Sequence, residues 1–154
     1  MREKNKNTAR LILIIALAAI AVFVIVLIVK LVAPASKAKP EDFAGQWVDT
    51  EHSNASLDIW VTDENTVIGL SSWQIDYNNA AFLDFEAVSA PGGLEITSCK
   101  RTDMNYDADG NATETVVYEG STGTIKKGEG DTLLLRVEGD QDPDAFTFTL
   151  EGAY

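Results

Sequence analysis

"AAFLDFEAV", Ala80 to Val88, sets Ala81, Leu83, Phe85 and Ala87 in one phase and Asp84 and Glu86 in the other. A period of two is the repeat of a strand with one buried and one wetted face. The same alternation recurs on both sides of it. "SLDIWVT", Ser56 to Thr62, opposes Leu57, Ile59 and Val61 to Asp58, Trp60 and Thr62. "TLLLRVE", Thr132 to Glu138, opposes Leu133, Leu135 and Val137 to Leu134, Arg136 and Glu138. "AFTFTLEG", Ala145 to Gly152, opposes Phe146, Phe148 and Leu150 to Thr147, Thr149 and Glu151.

Turn signals separate these runs: "TDEN" before Thr66, "APGG" before Leu94, "DADGN" before Ala112, "KKGEGD" ending at Asp131, and "DQDPD" before Ala145. Gly, Asn and Asp supply the backbone angles of tight hairpins. The pattern predicts eight strands, at about 43–49, 55–62, 66–74, 80–89, 94–103, 112–126, 131–138 and 145–151. The glycines of "EGSTG", Glu119 to Gly123, mark a bulge or bend in the sixth. Short connections favour a meander, and eight antiparallel strands with one apolar face close into an up-and-down barrel without exposed edges. The fold expected is therefore all-β, an eight-stranded antiparallel barrel, with a β-sandwich as the alternative.

The first strand contains "FAGQWVD", Phe43 to Asp49. Gly45-Gln46-Trp47 resembles the G-x-W that opens the first strand of lipocalins and related small barrels, avidins included. The resemblance would cover about residues 43–150 and implies that Trp47 packs across one end of a barrel. The domain is nearer avidin length than lipocalin length. An Arg often lies over this Trp in lipocalins, and Arg136, by alternation, faces outward instead.

Ahead of the β domain, Leu11–Val29 runs for 19 residues without a charged, amide or hydroxyl side chain. A helix of that length is about 28 Å long and matches a hydrocarbon core of roughly 30 Å. It exceeds the apolar stretch of a signal peptide, although "APA" at Ala33–Ala35 leaves cleavage after Ala35 as an alternative. Arg2, Lys4, Lys6 and Arg10 precede the run, and Lys30, Lys37 and Lys39 follow it. This bias is slight, but the ten-residue N-tail has no core of its own. The expected organisation is a cytoplasmic tail at 1–10, one transmembrane helix at 11–33, a spacer at 34–42 and an extracytoplasmic barrel at 43–154. The localisation that follows is the cell membrane, crossed once.

Charge is divided along the chain. From Glu41 on lie all the 24 acidic residues except Glu3, and only five of the 12 basic ones, for a formal net charge of −18. Such a domain repels phosphate, so nucleic acid is not an expected partner. His52 is the single histidine and Cys99 the single cysteine, which disfavours a zinc site. Neither "APGG" nor "GEGD" has the helix and basic residue of a phosphate loop. No G-x-S-x-G elbow is present. Carboxylates are abundant, but no pair is singled out for acid–base work.

"NYDADGNAT", Asn105 to Thr113, places Asn105, Asp107 and Asp109 at positions one, three and five of a calcium-loop pattern, with Gly110 at six. The twelfth position, which needs a bidentate Glu, is Val116. A hairpin turn at Asp109-Gly110 is the preferred reading. Trp60 and Phe82 fall on the face of Asp58 and Asp84, where they form a contact surface or stand as scattered exposed aromatics.

These features point to a non-catalytic binding module without cofactor or bound metal. Its ligand would be a small apolar molecule or an envelope component. Trp47, Leu83, Phe85, Leu135 and Phe148 are the candidates lining the barrel interior. Space there depends on Gly69, Ala81 and Ala87 being small against Leu133, Leu135, Phe146 and Phe148. The alternative is a structural or accessory protein that docks a partner protein on its outer face, with an enzyme as the third reading.

Overall fold

The computed structural model describes residues 36–153 except Thr50 and Ser53. The apolar run, the N-tail and the Ala35 cleavage site lie outside the described residues. Within them, eight antiparallel strands form one ring-like sheet, each paired with the next in sequence and the last with the first. They are β1 (Gly45–Asp49), β2 (Ser56–Val61), β3 (Thr66–Gln74), β4 (Asn79–Ala90), β5 (Gly93–Tyr106), β6 (Ala112–Lys127), β7 (Thr132–Val137) and β8 (Phe148–Gly152).

The period of two sets the interior. Leu57, Ile59, Val67, Leu83, Leu94, Ile96, Ile125 and Leu133 are fully or almost fully buried in one hydrophobic core. Alternation is kept through irregularities that the ladder absorbs. In the β5–β6 pair the register shifts between Ile96 and Cys99, between Cys99 and Lys100, and between Arg101 and Thr102. The first shift moves the inward phase of β5 from even to odd numbers. Gly120, in "EGSTG", has φ +81 and allows the bend in β6 that its glycines suggest.

Two short 3-10 helices lie at opposite ends of the ring. Pro40–Asp42 leads into β1 and buries Pro40, so the barrel takes in the end of the segment read as spacer. Phe43 follows it into the core, and Trp47 Nε1 donates to the Phe43 carbonyl at 2.9 Å. Asp142–Ala145 stands at the other end and buries Pro143. This element shortens the eighth strand, which begins at Phe148 rather than Ala145. Pro143 has no N–H for a ladder, and the Phe146 N–H turns back to its carbonyl. Leu150, expected inward, stays opposite Trp47 but is exposed, because it lies beyond Thr149, where the β7–β8 pairing ends.

Trp47 is buried and its one polar atom is satisfied, so both packing and a hydrogen bond are lost on truncation. Trp47→Ala is expected to lower unfolding free energy by about 3–5 kcal/mol. Denaturant titration of the chain from Ser36 onward checks this, and a loss below about 1 kcal/mol would remove Trp47 as a core anchor.

Candidate functional site

The five interior candidates all fall in the hydrophobic core: Trp47, Leu83, Phe85, Leu135 and Phe148 are each buried. Phe85 stands directly opposite Gly69 in the β3–β4 register. A Cβ built on Gly69 would run into the Phe85 ring. The small residue thus makes room for a side chain of the protein itself. Gly69→Ala is expected to destabilise the barrel by about 1–3 kcal/mol, the range for overpacking. In the Phe85→Leu background the same change should cost much less, and thermal melts of the four proteins would reveal an absence of coupling.

A polar cluster lies at the end of the ring bearing the second 3-10 helix. Arg101, on β5, is only 7% exposed. Its Nε donates to Asp103 Oδ1 at 2.8 Å, and its Nη1 donates to Asp140 Oδ2 and Asp142 Oδ2, each at 2.8 Å. The guanidinium carbon lies 5.1 Å from the Trp73 ring centroid. Tyr118, on β6, donates its hydroxyl to the same Asp140 oxygen at 2.8 Å. Burial by itself would raise the Asp140 carboxyl. The hydrogen bonds from Arg101, Tyr118 and the Asp142 N–H outweigh it and hold that group below its ordinary value of 3.8. Burial pushes the neighbouring Cys99 thiol up to about 11, with the Asp140 charge adding to it. Cys99 is therefore a neutral packing residue whose Sγ–H donates to the Ser121 carbonyl.

Arg101 is the site residue that the sequence reading passes over. Cys99, Arg101 and Asp103 share a strand phase, but the bulge after Ile96 had to be known before that phase could be read as inward.

His52 is tied to Asp49, with Nδ1 3.2 Å from Asp49 Oδ1, and its ring meets Phe146 edge-on. Asp49 is buried and also accepts from the backbone N–H of Glu51, His52 and Thr147. Burial would raise this carboxyl, and those backbone donors lower it below the usual range. The pair locks the β1–β2 loop to the approach to β8. Beside it opens a cleft of about 530 Å³ lined by His52, Trp73, Ile75, Tyr77 and Phe146 among others.

At the β5–β6 turn, Asp107 Oδ1 accepts from the N–H groups of Asp109 and Asn111, and its Oδ2 from the Asn111 amide. Gly110 has φ +83, while the Asn105 amide donates to Asn79. Hydrogen bonding from the Asn111 side chain and backbone lowers the Asp107 carboxyl, a cause that operates within the turn. Asn105, Asp107 and Asp109 are thus placed in a hairpin whose geometry Asp107 and Gly110 maintain.

The outer surface carries a different arrangement. Trp60 faces Ile68 across β2–β3, and Leu70 faces Asp58 on one side and Asp84 on the other. Trp60 and Ile68 are exposed, and Leu70 and Phe82 are half-buried. A groove of about 430 Å³ runs from Trp60, Ile68 and Leu70 to Asp84, Glu86, Lys100 and Glu119, while Phe82 lines another cleft with Ser72, Tyr77 and Tyr106. The floor is apolar and the rim mostly acidic. Trp60 and Phe82 were legible as an outward pair from alternation alone.

The Arg101 cluster makes a pH-dependent prediction. Arg101→Met leaves Asp140 buried without its cation and is expected to cost about 3–5 kcal/mol at neutral pH. Asp140 has a lowered carboxyl in the folded protein, so its stabilisation is present above the ordinary value of 3.8 and is lost as pH falls through the folded value. The difference between wild type and variant should narrow on acidification below about pH 4. Denaturant titrations across that range measure it, and a difference independent of pH would refute the assignment.

In comparisons with family models, curated proteins and solved structures, nothing matches this chain.

Proposed function

We propose that the chain is a membrane-anchored, non-catalytic accessory protein whose β domain docks a partner protein on the outer face of β2–β4. The observation that carries this reading is the outward group Trp60, Ile68 and Leu70, set in an acid-rimmed groove. Large outward apolar side chains in one place are the usual mark of an interaction surface. The core supports the same choice over a small apolar ligand, since Phe85 takes the space beside Gly69. Residues 11–29 would provide the anchor, with the β domain outside the cytoplasm, as their uncharged composition suggests. A lipocalin- or avidin-like relationship belongs to the same proposal and rests on Gly45-Gln46-Trp47 and the strand order.

The test uses the full chain in its native membrane with a photo-crosslinking residue at Ile68. A discrete protein adduct is expected, weakened by Leu70→Glu and not formed when the crosslinker replaces Glu64 on the β2–β3 turn. Externally added protease should remove the β domain from spheroplasts. Protection of that domain would overturn the topology. A purified chain carrying a tightly held small apolar molecule, with no adduct at Ile68, would overturn the docking role.

A further inference from the structure

β6 is paired with β5 from Ala112 to Lys126, but with β7 only from Gly123 to Lys127. Among the described residues, no strand pairs with the other side of Ala112–Thr122. The chain after β7 covers the near end of this edge: the Glu138 N–H donates to the Thr122 carbonyl, and Asp140 receives the Tyr118 hydroxyl. Past that point Ala112–Val117 are exposed residue after residue, so both faces of the strand are wet. Val116 and Val117 are 52% and 49% exposed. Over Ala112–Tyr118 the β5 partner is itself paired with β4, so β6 is here the outermost strand of the sheet and its outer edge is open.

From this edge we infer a strand-addition site at Ala112–Glu119 that accepts an extended, basic segment of another protein. Unpaired strand edges present alternating N–H and C=O groups to an incoming strand. This edge is long enough for a full strand, with one bulge where Val117 is extra between the pairs Thr102–Val116 and Arg101–Tyr118, and rich in residues that favour pairing: Thr113, Thr115, Val116, Val117 and Tyr118. The charge selects the occupant. Glu114 and Glu119 flank the valines, and Asp107 and Asp109 stand at the turn below them. Lys100 is opposite Glu119 in the β5–β6 register and offsets one of these charges. A second copy is a poor occupant. Two β6 strands paired antiparallel about Val116 and Val117 would set Glu114 against Glu119 twice, and like charges directly opposite destabilise a sheet. Lys or Arg on an incoming strand would meet the same carboxylates favourably.

This site is distinct from the β2–β4 face, so the two readings fail separately. The experiment uses the full chain in detergent micelles and synthetic peptides of about ten residues, a full strand in length. One alternates Val and Thr between terminal lysines, one has Glu in place of Lys, and one is the Lys peptide with N-methylated backbone amides. The Lys peptide should slow amide hydrogen exchange within 112–119 and bind at least about tenfold more tightly than either of the others. Glu114→Lys combined with Glu119→Lys should reverse the preference between Lys and Glu peptides, while Ile68→Glu leaves it unchanged. Equal binding of Lys and Glu peptides, equal binding of the N-methylated form, or no added protection at 112–119 would overturn the site. Protection that rises with protein concentration and needs no peptide would assign the edge to a second copy and overturn the basic partner.

Discussion

Arg101 and Asp140 hold the least regular part of the barrel. β7 and β8 share only the pairs Thr132–Thr149 and Leu133–Phe148, and β6 leaves β7 at Gly123. What spans the seam is the segment between β7 and β8, and a buried ion pair fastens it. Arg101 reaches from β5 to Asp140 and Asp142, while Tyr118 reaches from β6 to the same Asp140 oxygen. Trp73 supplies a ring face from β3. A guanidinium this deep is tolerated because its donors are satisfied and its charge is met by carboxylates. Removing one partner leaves the other charge in a site built to exclude water.

The remaining core is organised by size rather than charge. Phe43 and Trp47 fill the end where the chain enters, and Phe146 and Trp73 pack with ring centroids 5.7 Å apart at the other. Between them the Phe85 ring lies on Gly69. A barrel of eight strands is just wide enough for side chains to fill. Small residues in such an interior do not by themselves open a cavity; here the opposite strand uses the space. This shifts attention from what the barrel encloses to what its surface presents.

Much of this was legible in the sequence. The alternation in Ala80–Val88 and its counterparts was enough for eight strands in nearly the observed places, and turn residues marked five of the seven connections. What escaped has common physical causes. Register shifts move the inward phase without leaving a hydrophobic mark, which hid Arg101, and the early end of the β7–β8 ladder leaves Leu150 exposed. Pro143 converts the apparent start of the eighth strand into a 3-10 turn. The run Ala112–Val117 lacks a clean polar–apolar alternation because neither face is buried, a property that becomes visible only when the length of β7 is known. The acidic residues near Gly110 were easy to find, but not that Asp107 accepts the Asp109 and Asn111 N–H groups within the turn.

An open edge carrying two exposed valines invites uncontrolled pairing, so its neighbours matter as much as its length. From Glu41 onward the domain has 23 acidic residues against five basic ones, a formal net charge of −18. Copies approaching edge to edge therefore repel before their backbones meet. Glu114 and Glu119 repeat that repulsion at the level of individual cross-strand pairs. The same carboxylates lower the barrier for a cationic strand, so one set of charges acts against self-association and for a basic partner. Specificity of this kind needs no shaped pocket: the backbone supplies the hydrogen bonds common to any strand, and the flanking charges discriminate between strands.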